Sequence, residues 1–189
     1  MAILFPGVVR ADPGPFFHRS DDPQPVRLQL RWSHQFQFAG YYAAKELGFY
    51  REAGLDVDIR QSSPGKRAVE EVVAGRAQYG VANSNLILRR LRGEPVVLLA
   101  AIFQQSPMVF LTLRQSQIFE PGDLAGRRVM LALKDEAELR STLRAEGVSI
   151  DQLRVVKHTW RLEDLLSGKV DAMSAYLTDK PYRLETLQV

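Results

Sequence analysis

From Val26 onward the hydrophobic period keeps switching between that of a strand and that of a helix, and most helical stretches close on a glycine. This restricts the chain to a fold built from alternating strands and helices. "VRLQLRW" sets Val26, Leu28, Leu30 and Trp32 against Arg27, Gln29 and Arg31, the alternation of a half-buried strand. "FAGYYAAKELGFYREAG" spaces Phe38, Tyr41, Tyr42, Leu47 and Phe49 mostly at helical steps and stops at Gly54. "LDVDI" is the next strand, "RAVEEVVAG" a helix closed by Gly75, "YGVA" a strand and "SNLILRRLRG" a helix closed by Gly93. "PVVLLAAIF" then reads as a fully buried strand. Such alternation predicts an α/β protein with a mostly parallel sheet and covered faces.

After the turn-rich "EPGDLAG" the grammar begins again, with strands in "RRVMLAL", "LRVVKH" and "VDAMSAYL" and helices in "DEAELRSTLRAEG" and "RLEDLLSG". "AGRAQYGVAN" from Ala74 and "SGKVDAMSAY" from Ser167 share a helix-ending glycine, a basic residue and a small-residue strand. We expect two similar α/β lobes, the first over residues 26–110 and the second over residues 111–189. In such sheets the loops at the carboxyl ends of the strands gather in one crevice, where ligands bind.

Composition narrows the function. The 189 residues carry 25 basic and 22 acidic side chains scattered along the chain, so no basic stripe marks a nucleic-acid surface. There is no cysteine, which excludes disulfides, thiolate metal sites and cysteine nucleophiles. No stretch has the roughly 18 uninterrupted apolar residues of a membrane span. "AILFPGVVRA" is a short apolar run ending in Val9, Arg10 and Ala11, which fits the end of a clipped secretory signal and predicts export, although an ordinary N-terminus fits too. Residues 12–25, with four prolines and three aspartates, suit an extended leader; residues 1–25 form the expected non-lobe segment.

Polar and aromatic residues stand where predicted strands run out. "WSHQFQFAGYY" crowds five aromatics, one histidine and two glutamines into the link between the first strand and its helix. Phe38, Tyr41 and Tyr42 suit the helix core, which leaves Trp32, His34, Gln35 and Phe36 as the pocket candidates. Rings with amides beside them suit a flat, partly polar heteroaromatic ligand. Asn83 and Ser84 follow the "YGVA" strand, with Ser84 placed to cap the next helix. Gln104, Gln105 and Ser106 end the apolar strand, either as a plain crossover or as a hinge that touches ligand. Tyr176, Thr178 and Asp179 occupy the corresponding place in the second lobe, where Asp179 either accepts from a ligand N–H or caps a helix begun by Pro181.

Catalytic readings have less support. His18, His34 and His158 show no paired spacing for a metal, and no phosphate-cradling glycine loop or nucleophile elbow occurs. Asp135, Glu136 and Glu138 open a helix, where its dipole favours negative charge without any further role. We expect no metal, no cofactor and no catalytic residue.

The blocks "RWSHQFQFAGYYAAKELGFYREAGLDVDI", "YGVANSNLIL", "PVVLLAAIFQQSP", "LAGRRVMLA" and "DAMSAYLTDKPYRLE" together resemble the periplasmic solute-binding proteins of the thiamine-pyrimidine-precursor and alkanesulfonate type, which include thiamine pyrimidine synthases. The first block also resembles extracytoplasmic sensor segments attached to histidine kinases and diguanylate cyclases. The resemblance implies a two-lobed, type 2 periplasmic-binding-protein-like fold whose cleft closes on a small molecule. It carries over to Trp32, His34, Gln35, Phe36, Asn83, Ser84, Gln104, Gln105, Ser106 and the run Tyr176 to Asp179. The implied partners are a small-molecule ligand and either an ABC transporter permease or a fused signalling domain. Two departures stand out: Thr178, Asp179, Lys180 and Pro181 replace the expected "TNEP", and the cysteine-rich iron motif of the synthases is absent. Family members also continue well past "PYRLE", so the resemblance implies a fragment with an incomplete second lobe and uncovered apolar sheet surface.

Overall fold

The computed structural model describes residues 22–63, 65, 67–132, 137–179 and 184. The leader up to residue 21, Asp135, Glu136 and Pro181 lie outside the described residues. Two sheets follow one another along the chain.

The first sheet holds three parallel strands in the order β2-β1-β3: β1 (Gln24–Gln29), β2 (Leu55–Arg60) and β3 (Tyr79–Gly80). β1 starts earlier than its alternation indicated, because Gln24 and Pro25 already pair with Leu55 and Asp56. The last two residues of the expected leader are therefore sheet. Val26, Leu28 and Leu30 pack with Val57 and Phe38 in the core of this lobe. Gln29 is also buried, and its amide avoids an unpaired donor by reaching the carbonyls of Arg60 and Gln61 at 3.2 and 2.8 Å.

The helices around this sheet are shorter than the periodicity predicts. The expected single helix over 38–54 is a 3-10 turn (Phe36–Phe38), α1 (Ala39–Glu46) and α2 (Phe49–Glu52). Gly48 breaks it by taking φ +84°, a left-handed value that costs glycine nothing. Next come α3 (Ala68–Val73) and α4 (Asn85–Leu91).

"PVVLLAAIF" is neither buried nor a strand. Val96 is 5% exposed, but Val97, Leu98 and Leu99 are 75%, 64% and 72% exposed. The expectation of a fully buried strand fails because β3 pairs only with β1, and no strand among the described residues lies alongside 95–103. A lone extended segment has neither ladder nor second face, so its side chains stay in solvent.

The second sheet has the order β4-β7-β5-β6: β4 (Met108–Thr112), β5 (Arg128–Leu131), β6 (Arg154–Lys157) and β7 (Ala172–Tyr176). β5 is parallel to β6 and β7, whereas β4 runs antiparallel to β7. β4 was not among the expected strands, although "MVFLT" is a short run rich in β-branched and aromatic residues, set off from "PVVLLAAIF" by "QQSP". β7 lies inside the sheet, which accounts for its small, fully buried Ala172, Ser174 and Ala175 around Met173. α5 (Ala137–Ala145) buries Leu139 and Leu143 against one face, and α6 (Glu163–Leu166) buries Leu165.

The internal similarity is also physical. Glu71 in α3 and Asp164 in α6 are both buried acids, four residues before the helix-ending Gly75 and Gly168. Each pairs with the basic residue just beyond that glycine: Glu71 with Arg76 at 2.7 Å, Asp164 with Lys169 at 3.0 Å. The same return from helix to strand is locked the same way in both lobes.

Candidate functional site

The carboxyl ends of β1, β3, β6 and β7 supply most of the polar and aromatic side chains between the two sheets. Arg31 and Trp32 follow β1, Asn83 and Ser84 follow β3, His158 and Trp160 follow β6, and Tyr176 closes β7. Contacts among the described residues join the lobes there. The Trp32 and Trp160 rings lie 4.9 Å apart at 59°. The Arg31 guanidinium sits 5.2 Å from the Tyr176 ring centre and donates to its hydroxyl. The Ser84 hydroxyl donates to Glu138 of α5 at 2.9 Å.

Two cavities adjoin at Gln37 and Tyr176, which line both. The larger, about 830 Å³, is a trough that runs over the core residues Val26, Leu28 and Val57 and beneath the 96–103 segment. Its interlobe end is polar, with Asn83, Ser84, Gln104, Gln105, Ser106 and Glu138. Tyr41 also lines it, and burial together with neighbouring Tyr50 pushes the phenol above its ordinary range, so it remains a neutral donor at pH 7. The smaller cavity, about 80 Å³, is an aromatic slot walled by Arg31, Trp32, Gln35, Trp160, Tyr176 and Asp179.

Nine of the twelve sequence-derived candidates thus line one cavity or the other. His34, Phe36 and Thr178 line neither. His34 turns to Tyr42, with Nδ1 against the phenol oxygen and the rings edge to face, while burial raises the Tyr42 hydroxyl. Phe36 is 87% exposed at the start of the 3-10 turn, and Thr178 is exposed in the turn after β7. Ser84 occupies the N-cap position of α4, but it does not cap: its backbone is already helical at φ −53° and ψ −23°, its side chain makes no bond to the helix, and its hydroxyl donates to Glu138 instead.

The sequence matches the NMT1/THI5 like family model over residues 35–188. The chain belongs to that family. Over 161 residues this NMT1/THI5-like chain is 27% identical to the formylaminopyrimidine-binding protein of Halalkalibacterium halodurans, covering 82% of its own length and 48% of the relative. It is 27% identical over 105 residues to the 4-amino-5-hydroxymethyl-2-methylpyrimidine phosphate synthase of Legionella pneumophila, covering 55% of the chain and 33% of that enzyme. Its fold is similar to that of the periplasmic aliphatic sulphonate binding protein SsuA from Escherichia coli, with a TM-score of 0.60, 19% identity, and coverage of 88% of this chain and 58% of that one. The NMT1/THI5-like chain therefore has the α/β fold of a periplasmic binding protein, and it spans a third to a half of the curated relatives it matches.

Sequence reasoning missed Trp160, His158 and Glu138 as neighbours of the cleft. Trp160 stands just past the "LRVVKH" strand as Trp32 stands past the first, and that parallel was the available signal. His158 was weighed only as a metal ligand. Among the described residues no group of three His, Asp or Glu could hold a metal ion. Trp160 has φ +65°, a left-handed value that costs a non-glycine residue about 1–2 kcal/mol. The loop around it is tied down: the Thr159 hydroxyl donates to Asp164 at 2.7 Å, and that bond, helped by Lys169, holds the Asp164 carboxyl below the usual carboxylate range.

Proposed function

We propose that the chain is the binding portion of an exported solute-binding protein that captures a small, flat heteroaromatic compound between its lobes, with a thiamine-related pyrimidine as the leading class. The observation that carries this reading is the meeting of side chains from both sheets at two adjoining cavities, with both indoles lining the smaller one and amides lining each of the two. Rings stack on the faces of a planar guest, and Gln35, Gln105, Asn83 and Asp179 are placed to bond its edge. The printed name of the Halalkalibacterium relative supports a pyrimidine, the SsuA-like fold supports a periplasmic location, and the sulfonate ABC transporter named for the similar SsuA of Methylobacillus flagellatus supports hand-off to an ABC permease.

Titration calorimetry with formylaminopyrimidine, a short alkanesulfonate and an amino acid tests the reading. Binding of the pyrimidine with a negative heat-capacity change is expected, and no binding by any of the three removes it. A synthase reading rests on the similarity to the Legionella enzyme. It predicts pyrimidine phosphate formed from supplied precursors, and its absence with tight pyrimidine binding leaves the transport reading alone.

A further inference from the structure

Trp160 is held in its left-handed conformation by the residue two positions earlier. Its backbone N–H donates to His158 Nδ1 at 2.9 Å, so Nδ1 carries the lone pair and the ring proton is on Nε2. That nitrogen faces the Ser174 carbonyl of β7 at 3.0 Å and donates to it. The imidazole and the Trp160 indole stack with centres 3.8 Å apart and planes 20° apart. One 8% exposed histidine thus connects the inner strand of the second sheet to an indole that reaches across to Trp32.

The indole contact fills the place where a guest would sit. Two rings flanking a planar molecule need centres about 7 Å apart, twice the contact distance of about 3.5 Å between carbon atoms. At 4.9 Å they touch one another instead.

We propose that Trp160 is the second-lobe wall of the ligand slot and that His158 is the positioning residue that holds it against Trp32. This rests on the interlobe binding reading above. A guest enters by parting the indoles, and His158 keeps Trp160 from swinging out when they part. Specificity for planar ligands follows, since a tetrahedral sulfonate cannot use either ring face.

Trp32 and Trp160 are the two tryptophans of the sequence, so their coupling is visible as an exciton couplet in circular dichroism, isolated as the difference between the full chain and Trp32→Phe. Affinity for formylaminopyrimidine is measured alongside. Trp160→Ala is expected to weaken binding at least tenfold. His158→Phe, which keeps a stacking ring but no acceptor, is expected to lose the couplet and weaken binding several-fold. His158→Asn, whose side-chain oxygen can stand in for Nδ1, is expected to restore both. If Trp32→Ala weakens binding and Trp160→Ala does not, the inference falls while the cleft reading stands; if the unaltered chain binds nothing, both fall. A couplet unchanged in His158→Phe also overturns the role of His158. Should that variant fail to fold, imidazole nitrogen NMR of the unaltered chain decides, since a proton on Nδ1 is incompatible with the positioning bond.

Discussion

Tyr176 shows how one side chain can serve both lobes. It closes β7, lines both cavities and accepts from Arg31, which follows β1. Tyr176→Phe keeps the ring under the guanidinium but removes the acceptor. A hydrogen bond to a charged group contributes about 1.5–3 kcal/mol, so the variant should bind formylaminopyrimidine roughly tenfold more weakly by calorimetry if Arg31 must be fixed for the site to form. Asp171 gives a prediction about pH. The Arg128 side chain, outweighing the desolvation that opposes it, holds its carboxyl below the usual range, and the Arg128 backbone N–H adds to this. A depressed folded-state value means stability that is present above the unfolded value near about 3.9 and is lost as pH falls through the folded one. Asp171→Asn should cost about 1 kcal/mol at neutral pH, a value reduced for solvent screening, and should flatten the fall in urea-melt stability as the pH drops below the ordinary carboxylate value of about 3.9.

Among the elements, the strands and their polar exits were the legible part. Period-two alternation located β1 and the helix-stop glycines located β3 and β7, because both signals arise from a few neighbouring residues. β4 and the 95–103 segment were not legible, since whether an apolar run becomes a strand depends on which neighbour offers a ladder, and that neighbour is remote in sequence. The same limit hid Trp160: its contact with Trp32 depends on the placement of two sheets. Packing gives two checks at this scale. Met173, fully buried on the inner strand β7, should cost about 2–5 kcal/mol when changed to Ala, measured by chemical denaturation. A Cβ at Gly80 would lie 3.0 Å from Val72 Cγ2 and 3.2 Å from the Ala68 carbonyl oxygen. Gly80→Ala should therefore push α3 off β3 and destabilise by about 1–3 kcal/mol in the same assay.

At the scale of the whole molecule, the contacts across the cleft described above are polar or aromatic, which suits lobes that separate and close again around a guest. Saturating formylaminopyrimidine should change the small-angle scattering profile toward a more compact particle, while a sulfonate without planar character should leave it unaltered. The wiring of the second sheet has a different consequence, for the order in which the protein assembles. The partners of β1 arrive early, but Thr112 must wait for Ala172 and Met108 for Tyr176, so β4 stays unpaired until some sixty further residues have been made. A ribosome-bound chain halted before β7 would have its amino-terminal half formed and a sticky hydrophobic ribbon behind it, and such nascent chains should be the ones that chaperones hold.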